Sequence, residues 1–176
     1  MLMKKFVRSI VSVVLLGSMA LSFAGCAKKI EPVKKNDFKD ALEASFDIDD
    51  DDYSEYEWDD YTDIYYYDHD YYVEMYQYDD ADDALDRFED IYDDFEDMLD
   101  DKDFKGKHKA VFNEKGGYGY ITFSGESNSD DFFDDDIHGG IYWADDTVII
   151  VVVTSDKDKY TENIDAMIKA LGYPKP

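Results

Sequence analysis

The chain has 176 residues and carries 44 Asp plus Glu against 18 Lys plus Arg, a formal net charge of −26. Charge of that sign excludes a nucleic-acid binder and sets the folded part against anionic lipid, because both present negative charge. The same imbalance favours disorder, but 16 Tyr, 11 Phe and 2 Trp supply apolar area for one core in a chain too short for two comfortable domains.

Residues 1–25 contain no acidic side chain. Lys4, Lys5 and Arg8 precede an apolar run through Ile10, Val11, Val13, Val14, Leu15 and Leu16, and small Ala24 and Gly25 lead into Cys26. A charged start, an apolar middle and a small-residue exit are the layout of an export signal. The tetrapeptide Phe23-Ala24-Gly25-Cys26 resembles the lipobox of bacterial lipoproteins, with Phe23 where that family usually has Leu. The resemblance implies cleavage before Cys26 and an acyl chain, such as palmitate, on its sulfur. The mature chain is then anchored to the extracellular face of the cell membrane and carries a net charge of −29 once Lys4, Lys5 and Arg8 are removed. The alternative is an uncleaved span, since residues 9–27 form an uncharged stretch of 19 residues, about the length of a bilayer crossing. Ser9, Ser12, Gly17, Ser18 and Ser22 dilute its apolarity. Cys26 is the single cysteine, so no internal disulfide is available and the fold must stand on its own core.

Residues 26–35 (CAKKIEPVKK) combine four lysines with a proline and show no periodicity, which predicts a linker. A single domain is expected over residues 36–174. Phe38, Ala41, Leu42 and Ser45 share one face of a helix over 37–46, with Asn36 or Asp37 as N-cap. Two aromatic strands follow, over 55–67 with room for an interruption and over 71–78, joined through Asp68-His69-Asp70. The strongest helix runs over 80–99, where Ala81, Ala84, Leu85, Phe88, Ile91, Tyr92, Phe95, Met98 and Leu99 make a continuous stripe. Its other face is acidic apart from Arg87, and like charges at i, i+4 repel, so it needs a sheet to pack on.

After a lysine-rich connection, a strand is expected over 118–124, then an acidic loop over 130–136. A hairpin over 140–144 and 147–154 turns at Asp145-Asp146. Val148 to Val153 is apolar on both faces, which predicts the central strand. Tyr160, Ile164, Met167, Ile168 and Leu171 stripe a last helix that Gly172 and Pro174 stop. The expected domain is therefore α+β, in the order α-ββ-α-βββ-α, with a mainly antiparallel sheet of about five strands and helices packed on one face. This layout and the anchor resemble the small surface lipoproteins of unknown function in Gram-positive bacteria, a likeness of layout that implies no mechanism.

Candidate chemistry is sparse. Asp47, Asp49 and Asp51 begin like an EF-hand loop, but Asp52 stands where glycine must turn the chain and Trp58 where a bidentate glutamate belongs. Together with Asp130, Asp134 and Asp136 they are candidate ligands for weak Ca²⁺ binding. Against that, Asp outnumbers Glu by 34 to 10 throughout the chain, the mark of a solvated acidic surface. His69, His108 and His138 lack ligand spacing and read as turn histidines, and no nucleophile elbow or phosphate loop is present. The lysines at 102, 105, 107, 109 and 115 are expected to neutralise the acidic helix end before them.

The tyrosines of the first hairpin alternate onto both faces. Only one face can meet the helices, so Tyr65, Tyr67, Tyr72 and Tyr76 are candidates for a partner-binding platform. The expected function is non-catalytic binding by an envelope lipoprotein, with an envelope protein or polysaccharide as partner. The alternative is an acidic domain that responds to divalent cations.

Overall fold

The computed structural model describes residues 28–68 and 70–176. The expected signal over 1–25, Cys26 and His69 lie outside the described residues. The chain runs α1 (Lys35–Phe46), β1 (Ser54–Glu57), β2 (Tyr61–Asp68), β3 (Tyr71–Tyr78), α2 (Ala81–Asp101), β4 (Phe104–Asn113), β5 (Tyr118–Asn128), β6 (Asp134–Ala144), β7 (Thr147–Thr154) and α3 (Asp158–Ala170). All seven strands join one sheet in the order β1-β2-β3-β7-β6-β5-β4, and every neighbouring pair is antiparallel. The α+β class and the antiparallel sheet match the sequence reading.

Two features differ from that reading. The sheet has seven strands rather than about five, because the 55–67 segment breaks into β1 and β2 and because the lysine-rich connection is itself the ten-residue strand β4. The helices, moreover, cover both faces. Phe38 and Leu42 of α1 and Ile164, Met167 and Ile168 of α3 pack on Ile64, Val73, Met75, Ile149, Val151 and Val153. Ala84, Phe88, Ile91, Phe95 and Met98 of α2 pack on the opposite side, against Ile121, Ile141, Val148, Ile150 and Val152. β7 is the fourth of seven strands, and its residues from Thr147 to Val153 are all buried.

The helix ends follow from local chemistry. The Asp80 carboxylate accepts from the Asp82 backbone N–H at 3.0 Å and caps α2, satisfying one of the donors that a helix start leaves open. Lys102 ends it in the left-handed region with φ 66°, a cation where the helix dipole favours one. Lys105, Lys107 and Lys109 do not serve the α2 end as expected. Their partners Glu126, Ser124 and Thr122 place them on the sheet face away from α2, while His108 and Phe112 meet its Phe95 and Phe88. On the terminal strand of the sheet these lysines guard an unpaired edge against further pairing.

Residues 28–34 are largely exposed but are fastened to the body at several points. Ile30 is buried in the α1–α3 core, the Tyr173 hydroxyl donates to the Glu31 carbonyl at 3.0 Å, and the Lys28 ammonium donates to the Gly172 carbonyl. No helix among the described residues is long and apolar enough to cross a membrane.

Phe88 is the central knob of α2. It is fully buried, lies 5.8 Å from the Trp143 ring, and occupies space opened by Gly119, where a Cβ would come within 2.5 Å of it. Phe88→Ala is expected to cost about 3–5 kcal/mol, seen as a lowered urea midpoint. Wild-type stability in that variant would show that α2 does not hold the sheet.

Candidate functional site

α2 lies over β3, β7 and β6, so it leaves the same face of β1 and β2 without a helix. On that open face the register sets Tyr67 opposite Tyr72, Tyr65 opposite Glu74, Asp63 opposite Tyr76 and Tyr61 opposite Tyr78, with Tyr56 opposite Asp63 on the outer side. Period-two alternation thus brings Tyr65, Tyr67, Tyr72 and Tyr76 onto one face. Tyr66 and Tyr71 point the other way, into the core.

The rings form a continuous arc. Phe133, Tyr72, Tyr67, Tyr65, Tyr56, Trp58, Tyr61 and Tyr78 each contact the next, with centroid separations between 4.9 and 6.4 Å. Separations of this size are those of favourable ring pairs. Among the exposed large apolar side chains of the described residues, Tyr56 (50 %), Trp58 (58 %), Tyr67 (52 %) and Tyr72 (39 %) belong to this arc, and only Phe112 (38 %) lies elsewhere. Tyr76 is less available than the sequence suggests. Its hydroxyl donates to Glu74 Oε2 at 2.9 Å, and the Arg87 guanidinium lies 5.5 Å from its ring centroid.

Inside the arc sit two acids that sequence reasoning missed, Asp63 and Glu74, diagonal neighbours on adjacent strands. Glu74 is 9 % exposed, and burial pushes its carboxyl above the usual range, partly offset by the Tyr76 hydrogen bond and by Arg87. Burial alone raises the Asp63 carboxyl, and its Oδ1 is buried without a hydrogen-bond partner. A signal was present: Tyr61-x-Asp63-x-Tyr65-x-Tyr67 and Tyr72-x-Glu74-x-Tyr76-x-Tyr78 each place one acid in an otherwise aromatic row.

The other candidates separate. The Asp47 backbone adopts the left-handed conformation that ends α1, while Asp49 Oδ1 accepts from the Asp51 N–H and Asp52 Oδ2 from the Asp49 N–H, at 3.2 and 3.1 Å. Their carboxylates are turned back on their own loop. Asp134 and Asp136 belong to β6 rather than to a loop, and Asp130 and Asp134 line an open recess of about 400 Å³ beside Tyr72 and Phe133. Among the described residues no three His, Cys, Asp or Glu side chains gather as metal ligands.

His108 and His138 lie on strands rather than in turns. His138 joins a chain of contacts, with Nδ1 3.1 Å from Ser124 Oγ and Nε2 3.1 Å from Asp165 Oδ1, while Lys175 donates to Asp165 Oδ2 at 2.8 Å. Burial acts to raise the Asp165 carboxyl, but the hydrogen bonds from Lys175 and His138 hold it below the usual range. The residue types are those of a hydrolytic triad. Ser124, however, is mid-strand, opposite Lys107 on one side and His138 on the other. Its backbone neighbours are committed to the ladder and leave no donor pair to stabilise an oxyanion. The contacts instead tie α3 and the end of the chain to the sheet.

Compared with protein-family models, curated proteins and solved structures, the chain matches none of them.

Among the described carboxyls with shifted values, those raised in the fold outnumber those lowered. Asp63, Glu74, Asp94 and Glu96 are all held above their usual range, first by burial. Between their ordinary values near about 4 and the raised folded values, the folded state binds more protons than the unfolded one, so stability rises as pH falls. Glu55, lowered by Lys35 and Lys39, and Asp165 act oppositely. Their contribution is present above the ordinary range and is lost as pH falls through their folded values. The melting temperature is therefore expected to rise from neutral to mildly acidic pH and to fall in stronger acid. Asp63→Asn should raise it at neutral pH and reduce the mild-acid gain. An unchanged melting temperature in that variant would refute the cost assigned to Asp63.

Proposed function

We propose that this chain is a lipid-anchored, non-catalytic binding domain of the cell envelope. It is held at the extracellular face through Cys26 and engages a protein or polymer partner through the ring face of β1–β3. The observation that carries the reading is the concentration of exposed rings. A soluble surface scatters its exposed apolar side chains, whereas a contiguous patch marks a contact site. Tyrosine and tryptophan offer large contact area at low conformational cost, with a polar tip that tolerates water between encounters.

The rest of the described surface supports binding over catalysis. The Ser124–His138–Asp165 contacts are built into the sheet, and a recess of about 670 Å³ between the 28–33 segment, α1 and the end of α3 is lined by Ile30, Ala41 and Tyr173 together with charged side chains. That recess follows from the docking of the N-terminal segment and gathers no buried catalytic pair.

Two measurements test the proposal. Mass spectrometry of the membrane-extracted protein is expected to find a chain beginning at residue 26 with acyl mass on it; any other amino terminus would remove the anchor. Full-length protein in mild detergent should recover envelope material that a variant with Tyr56, Trp58, Tyr67 and Tyr72 changed to serine does not. Those four rings are the exposed ones, so the variant keeps the core. Equal recovery by both would end the claim that this face binds.

A further inference from the structure

We propose that the ring face receives a positively charged, extended protein segment whose lysine or arginine side chain seats over Asp63 and Glu74. This rests on the reading that the face binds a partner, and it names the partner's chemistry.

Shape is the first argument. The face is the surface of a sheet beside its terminal strand β1, flat along the strands. Compact small molecules take concave pockets, whereas a sheet face next to an unpaired edge suits an extended chain. Relief is the second. Aspartate and glutamate are shorter than tyrosine, so two acids set among rings make a low, negative floor with taller aromatic walls. A long cationic side chain reaches such a floor while its stem lies along the rings.

Charge decides between ligands. Arg87, the only basic residue on α2, already lies over Tyr76 and acts on Glu74. The buried Oδ1 of Asp63, by contrast, has no hydrogen-bond donor. One acid of the pair is partly compensated and its neighbour is not. A cation from outside, approaching the half-buried Asp63 carboxylate, supplies the missing compensating charge and a second ring contact. A neutral sugar stacks on the rings but leaves Asp63 desolvated and unpaired, which is costly. An anionic polymer meets like charge.

The test uses the full-length protein in non-ionic detergent at about 0.15 M salt, where distant surface charges are largely screened. The probe is a short peptide of alternating lysine and threonine, followed by the fluorescence of Trp58. Asp63→Asn with Glu74→Gln is expected to weaken binding by about tenfold or more. Asp40→Asn with Glu162→Gln removes the same charge from the opposite face and should change it less than about twofold. Melting curves confirm that both variants fold. Equal weakening in the two variants, or no weakening in the first, overturns the inference. The envelope pull-down separates the two claims: capture lost with the four rings but retained by Asp63→Asn/Glu74→Gln shows a binding face that does not use cations, so the inference falls and the functional reading stands. Capture unaffected by either variant removes both.

Discussion

The structure depends on one strand that is apolar on both sides. Val148 to Val153 buries alternate residues into two separate cores, Ile149, Val151 and Val153 into one and Val148, Ile150 and Val152 into the other. A strand of this kind is stable only when water is kept from both faces. α1 and α3 shield one side and α2 the other, and that division places everything else. Because α2 is a single helix over β3, β7 and β6, it reaches only the β3 side of the hairpin arm, and the rings of β1 and β2 remain beyond it.

The acidity of the chain falls into two classes. Most carboxylates are solvated and only add to mutual repulsion, as on α2, where Asp90, Asp93, Asp97 and Asp100, with Asp131 from the loop before β6, push the Asp94 and Glu96 carboxyls further up. A few are held by specific partners. Glu55 is clasped by Lys35 at 2.7 Å and by Lys39, which fastens β1 to α1, and Asp165 is gripped by His138 and Lys175. Asp63 and Glu74 belong to neither class. They are half-hidden by aromatic neighbours, and their surroundings compensate only one of them.

The α2 stripe, the β3 and β7 boundaries and the antiparallel class were legible because each rests on a repeating apolar pattern with a marked end. The missed elements lack such a pattern. In β4 the alternation of Lys105, Lys107 and Lys109 belongs to an edge whose outer face is wet, so it reads as a charged connection. The placement of helices on one face was a failure of inference rather than of signal, since a strand apolar on both sides already requires cover on both. At the site, the aromatic rows were visible and their shared face followed from period two. The acids within them were masked by abundance: with 34 aspartates in the chain, a single acid in an aromatic row draws little notice until cross-strand register sets Asp63 diagonally beside Glu74. His138 and Asp165 meet only through tertiary packing between β6 and α3, which spacing in the sequence does not encode.

The docking of Ile30 sets a direction for the molecule. The chain enters the body on the α1–α3 side of the sheet, and the aromatic arc faces the opposite way. Between residue 28 and the first buried side chain, Ile30, there is almost no slack. Under the proposed anchorage at Cys26, attachment on that side turns the rings outward, away from the surface that holds the chain.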